Sequence, residues 1–170
     1  MSGPTPELAA ELLEFARTAV PAHRWHGLRP ETVLATLEAL LDLAVDAGAW
    51  HDLVATKVDL AARTGLSESG AGYALDALRT VGLLVLTAPA RGPYPRRWRL
   101  DPSHYLLAAT GSRPTPTDPD EAALVAVRAE LAAARWAYDT GRAYHAQVCE
   151  LEYALAAALA VWDQRHPEEG

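Results

Sequence analysis

Between residues 77 and 100 the chain carries five arginines, Arg79, Arg91, Arg96, Arg97 and Arg99, and no acidic residue. Guanidinium groups collected in this way suit phosphate oxygens, which accept their N–H groups in charge-assisted hydrogen bonds. The remainder of the molecule has the opposite sign. The formal charge is −7 overall, and from residue 118 onward ten acids face four arginines. That balance argues against a general nucleic-acid coat, whereas a local basic patch on an acidic protein fits a site-specific binder. The plainer alternative is that these are ordinary solvated arginines of a hairpin.

Other groupings carry less. His145 and Cys149 lie four apart on one helix face, with Glu152 a turn further on. Thiolate and imidazole suit zinc or copper, but a single cysteine usually behaves as a small buried hydrophobe, and packing accounts for the trio as well. His23 and His26 sit in a link between helices, and two histidines do not make a site. No metal and no cofactor is expected. There is no Gly-rich phosphate loop, no nucleophile elbow, and no paired carboxylate outside solvated helix faces, so an enzyme is not expected.

The elements around the arginines can be read from spacing. A short helix carries Leu60 and Ala61, and a small residue such as Ala61 permits a steep helix crossing. Thr64-Gly65 forms a tight turn in which Gly65 tolerates positive φ. Leu66 then points to the core, and Ser67 is placed to cap the next helix. Ala71, Ala74, Leu75, Leu78 and Val81 keep helical spacing up to Gly82, an expected left-handed C-cap. Residues 83–86 are strand-like, residues 90–95 form a Gly/Pro tip, and residues 96–100 return as a second strand. Trp98 alternates away from Arg97 and Arg99 and is expected in the core.

This order, over roughly residues 30–102, resembles the bacterial winged helix-turn-helix regulators of the MarR-like and PadR-like kind. The resemblance implies a second helix in the major groove and a wing on phosphates or in the minor groove. Ser67, Glu68, Ser69, Gly70, Gly72 and Tyr73 would then face DNA from the helix, and Arg79, Arg91, Arg96, Arg97 and Arg99 would belong to the same surface. The chain departs from that pattern in one respect. The first two turns of the helix hold no Arg, Lys, Asn or Gln, the residues that read base edges bidentately. Either the glycines let the backbone approach DNA closely, with Ser69 and Tyr73 making contacts, or this helix packs on protein.

Flanking segments complete the expectation. Residues 5–20 read as a helix capped by Thr5 with Pro6 at its first position, ended by Pro21. Residues 30–47 form a strongly amphipathic helix through Val33, Leu34, Leu37, Leu41 and Ala44. Residues 110–119 hold three prolines and read as a linker. Beyond it, residues 120–163 place Leu124, Val127, Leu131, Tyr138, Val148, Leu155, Leu159 and Trp162 on a heptad-like seam, with Gly141, His145 and Glu152 as defects. One long pairing helix and an antiparallel hairpin broken at residues 139–141 remain equally open. Either form leaves an apolar seam for which a homodimer is the simplest partner. Trp136, Tyr138, Tyr144, Tyr153 and Trp162 could alternatively line a pocket for a small apolar effector.

The expected fold class is mostly α with a small β-hairpin wing and a C-terminal dimerising coiled coil or helical hairpin. It divides into an N-terminal helix and link (1–29), a winged helix-turn-helix domain (30–109), a linker (110–119) and a helical dimerisation segment (120–170). A single cysteine, no secretory leader and no membrane-length apolar run suggest a cytoplasmic protein. The function expected is a dimeric regulator of transcription bound to double-stranded DNA, with repression by promoter occlusion as the default. The alternatives are a winged-helix adapter for a protein partner and a plasmid- or phage-type replication or partition factor.

Overall fold

The computed structural model describes residues 3–22, 25, 27–102, 118–139, 141 and 144–167. Thr5 caps α1 (Pro6–Ala22): its Oγ1 accepts from the Leu8 N–H at 3.2 Å. The helix runs two residues beyond the expected stop, and Pro21 sits inside its last turn. The Val20 carbonyl there accepts the indole N–H of Trp25 at 2.7 Å, so a side chain satisfies one of the carbonyls that a helix end leaves open. α2 (Pro30–Ala47) has the expected bounds, with proline in its first turn and Gly48 at φ 64° after its last residue. Its buried stripe of Val33, Leu37, Leu40, Leu41 and Ala44 forms the spine of the larger core.

A three-stranded antiparallel sheet follows, in the order β1 (Leu53–Val54), β3 (Arg97–Leu100), β2 (Leu84–Ala88). Helices α3 (Lys57–Thr64) and α4 (Glu68–Thr80) lie between β1 and β2 in the chain. Alternation gives the sheet two different faces. Leu84, Leu86, Trp98 and Leu100 join α1–α4 in one core, and Trp98 donates its indole N–H to the Ala55 carbonyl at 3.2 Å. Val85 and its cross-strand partner Arg99 point to the other side.

That second face is covered by α5 (Pro119–Asp139) and α6 (His145–Arg165). They form an antiparallel hairpin that turns at Gly141, φ 71°, and closes at its far end through Arg165–Asp120 at 2.7 Å and His166–Asp118 at 2.9 Å. Most residues expected on a dimer seam pack within the chain. Leu124, Leu131, Val148, Leu155 and Leu159 are buried with Val85 inside one chain, with Val127 and Trp162 packed against them. Tyr138 is exposed instead of lying on that seam. An apolar repeat of this period serves a helix folding back on its own chain as well as a coiled coil, and here the two helices pack on each other and on Val85 of the sheet. Among the described residues no helix is long and apolar enough to cross a membrane. Most of the expected linker falls within residues 103–117, outside the described residues.

Candidate nucleic-acid interface

The turn between α3 and α4 follows from three local interactions. Thr56 caps α3 by accepting from the Asp59 N–H at 3.1 Å, and Gly65 takes the left-handed conformation at φ 72°. Ser67 caps α4, its Oγ accepting from Gly70 N–H at 3.0 Å. Leu66 is only half-buried and stands outside the core cluster. α4 buries Ala71, Ala74, Leu75 and Leu78, which turns Glu68, Ser69, Tyr73 and Asp76 outward. Tyr73 is 66 % exposed, a large aromatic ring left in solvent. Gly82, at φ 82°, returns the chain from α4 to β2, with Leu83 N–H bonded to the Leu78 carbonyl at 3.1 Å.

Two of the five arginines are not on this surface. Arg79 makes a bidentate pair with Glu152 of α6, Nε–Oε1 2.6 Å and Nη2–Oε2 2.8 Å. Arg99 is 4 % exposed and holds Asp163 of α6 at 2.6 Å. Both were expected at a DNA surface. Their side chains instead fasten the helical hairpin to α4 and the sheet. Arg91, Arg96 and Arg97 remain exposed around the β-hairpin tip, where Arg91 and Tyr94 form an isolated bridge. Arg97 keeps 49 % of its side-chain surface, with Asp52 at a loose 4.0 Å.

The sequence reading missed Lys57, the first residue of α3 and the sole lysine of the chain. A Cβ at position 72 would stand 2.9 Å from Lys57 Cδ, so Gly72 leaves room for the lysine stem to cross α4. Gly70 makes room for its own cap, since a Cβ there would meet Ser67 Oγ at 3.2 Å. Lys57, Ser69, Tyr73, Asp76 and Arg96 line one open cavity of about 300 Å³. The outer face of α4, the start of α3 and the base of the β-hairpin tip thus converge. The signal in the sequence was a lone lysine 15 positions before a helix glycine, a long-range pairing with no local pattern.

Glu152, expected as a defect in a seam, is fully buried and shared by two guanidiniums. Arg135 Nη2 donates to its Oε1 at 2.8 Å, and Arg135 Nη1 reaches the Thr80 carbonyl at 3.3 Å. Desolvation pulls Arg79 down, but its bonds to Glu152 outweigh that and hold its pKa above the ordinary value. For Arg135 burial prevails, and its pKa is lowered despite Glu152. Arg128 of α5 pairs with the buried Asp101 just after β3. Three groups of buried charge therefore bind the hairpin to the rest of the chain.

The other candidates do not assemble. Cys149 Sγ lies 3.5 Å from His145 Nδ1, but Glu152 points to the arginines, so the trio shares no centre. His23 and His26 lie outside the described residues. Asp118, Asp120 and His166 offer ligand atoms within 4.8 Å of one another, yet each is engaged: Asp118 with His166, Asp120 with Arg165. The Asp118 carboxyl is held below its usual range by the Asp120 backbone N–H and then by His166. The aromatic residues do not form one pocket: Trp162 stacks on His166 at 3.8 Å, while Tyr138 meets His145 at the opposite end of the hairpin. Tyr144 and Tyr153 are exposed, and the Trp136 side chain lies outside the described residues. No family model, curated protein or solved structure matches the chain.

Proposed function

We propose that the chain is a winged-helix DNA-binding regulator of transcription, with α4 set toward the major groove and the β2–β3 hairpin as the wing. The supporting observation is the convergence of Lys57 and Arg96 on the exposed Ser69 and Tyr73 of α4. Cations from two elements flank a helix face that carries hydroxyls, the arrangement needed to hold phosphates on either side of a groove. The element order α2–β1–α3–α4–β2–β3 and the antiparallel sheet support the same reading. The contact set is revised to Lys57, Ser67, Glu68, Ser69, Tyr73, Arg91, Arg96 and Arg97. Gly70, Gly72, Arg79 and Arg99 leave it. The reading does not need a coiled-coil dimer, and repression by occlusion stays its default mechanism.

A duplex titration tests it, with DNA from upstream of the coding region beside random duplex at two salt concentrations. The upstream fragment should bind more tightly. An R91A/R96A/R97A variant should lose affinity and lower the salt slope by about 0.9 per phosphate contact removed. One observation favours a second reading, a winged-helix adapter for a protein. The outward face of α4 carries Glu68 and Asp76 and lacks a bidentate base reader. Absence of binding to either duplex by the folded chain selects that reading.

A further inference from the structure

Between the last turn of α4 and the turn end of the helical hairpin lies a cavity of about 290 Å³, whose walls include Asp76, Arg79, Arg135, Tyr138, Asp139 and His145. Each guanidinium has five N–H donors. The bonds to Glu152 and Thr80 engage Nε and Nη2 of Arg79 and Nη1 and Nη2 of Arg135, one hydrogen each. Among the described residues Arg79 Nη1 and Arg135 Nε carry no bond, and neither is a buried unpartnered nitrogen, so these two donors reach accessible space beside the cavity. Two guanidiniums share one carboxylate, which leaves an excess positive charge in the floor. Asp76 and Asp139 are exposed, and among the described residues neither forms an ion pair with these arginines. The site is thus polarised, positive in its depth and negative at its rim. Tyr138 and His145, in edge-to-face contact with centroids 5.7 Å apart, supply an aromatic wall.

We infer that this cavity binds a small zwitterion of the α-amino acid type. The carboxylate meets the free N–H groups of Arg79 and Arg135, the ammonium group lies between Asp76 and Asp139, and the side chain rests on Tyr138 and His145. A simple anion would meet the two rim carboxylates unfavourably, and a simple cation would meet the arginines. The volume lies at the low end for ligand pockets, roughly 300 Å³, which restricts the ligand to this size. Arg79 belongs to α4, so occupancy reaches the helix assigned to DNA. That coupling rests on the regulator reading, whereas binding itself rests on the cavity alone.

The test is saturation-transfer NMR and calorimetry on the full chain without DNA, using the twenty proteinogenic L-amino acids. For every amino acid that binds, the matching carboxylate without the amine and the amine without the carboxylate are measured too. At least one amino acid should bind saturably, at least tenfold more tightly than both analogues. D139N, a change at an exposed residue, should weaken it at least tenfold while leaving the melting temperature unchanged. R135K, checked for folding by circular dichroism, should weaken it as well. No saturable binding, equal binding of the carboxylate analogue, or indifference to D139N overturns the site. A chain that binds an amino acid but no duplex keeps the site and loses the regulator reading. One that binds duplex but no amino acid does the reverse.

Discussion

Arg97 and Arg99 stand two residues apart on β3 and project from the same face of the sheet, yet their surroundings are opposite. Arg97 is half in solvent, and Arg99 is 4 % exposed against Asp163. The helical hairpin covers the sheet at Val85 and Arg99 and ends before Arg97. The same boundary separates Arg79, held by Glu152, from Arg91 and Arg96. One basic stretch therefore contains two populations of arginine, one inside the fold and one outside it. What separates them is coverage by helices that follow in the chain, not strand or helix period.

The sharpest way to break this division is to remove the shared acid. E152A leaves Arg79 and Arg135 buried without a counter-charge, and urea denaturation should show a loss of about 3–5 kcal/mol. R99A should cost about 1–3 kcal/mol, less because Asp163 keeps contact with water. Its DNA affinity, measured under conditions where the variant is folded, should match the parent. R96A and R97A should invert that pattern, with stability changed by less than about 0.5 kcal/mol and duplex binding weakened. Equal loss of DNA affinity in R99A and R96A would abolish the distinction. G72A is subtler. Helix propensity favours alanine by roughly 1 kcal/mol, but the new Cβ displaces the stem of Lys57. Stability should hold or rise while duplex affinity falls. The smallest effect is expected at Asp118, whose folded pKa is depressed. Its contribution is present above the ordinary aspartate range, about pH 4, and disappears as pH falls through the lower folded value. D118N should therefore lower stability slightly at neutral pH, where that contribution is fully present, flatten the acid limb of the stability profile and change little below the folded pKa.

Where the sequence was readable, the cause was local. The bounds of α2 follow from Pro30 and Gly48, and the cap of α4 from Ser67, because each signal acts within one turn of its own position. The sheet was readable in outline, since apolar alternation placed Trp98 in the core. The roles of Arg79 and Arg99 were not readable. Their partners lie 73 and 64 residues away, and nothing near an arginine marks it for a buried acid. The period of the C-terminal seam suits a dimer and a hairpin equally, and only the left-handed turn at Gly141 separates them. Glu152 looked like a flaw in an apolar row for the same reason: its justification is Arg79, on a helix in the first half of the chain. At the candidate interface the exposed hydroxyls and tip arginines were visible, but Lys57 emerged only once Gly72 had a three-dimensional neighbour.

The buried ion pairs joining the helical hairpin to the sheet also bear on cooperativity. Separation of the two layers would leave Glu152, Asp101 and Arg99 to be rehydrated together with the apolar surface around Val85. Arg79, Arg99 and Asp101 on one side and Arg128 and Asp163 on the other would lose their partners, so a half-folded molecule has little to stabilise it. Loss of the hairpin and loss of the α1–α4 core should coincide in one all-or-none transition, with calorimetric and van't Hoff enthalpies in agreement.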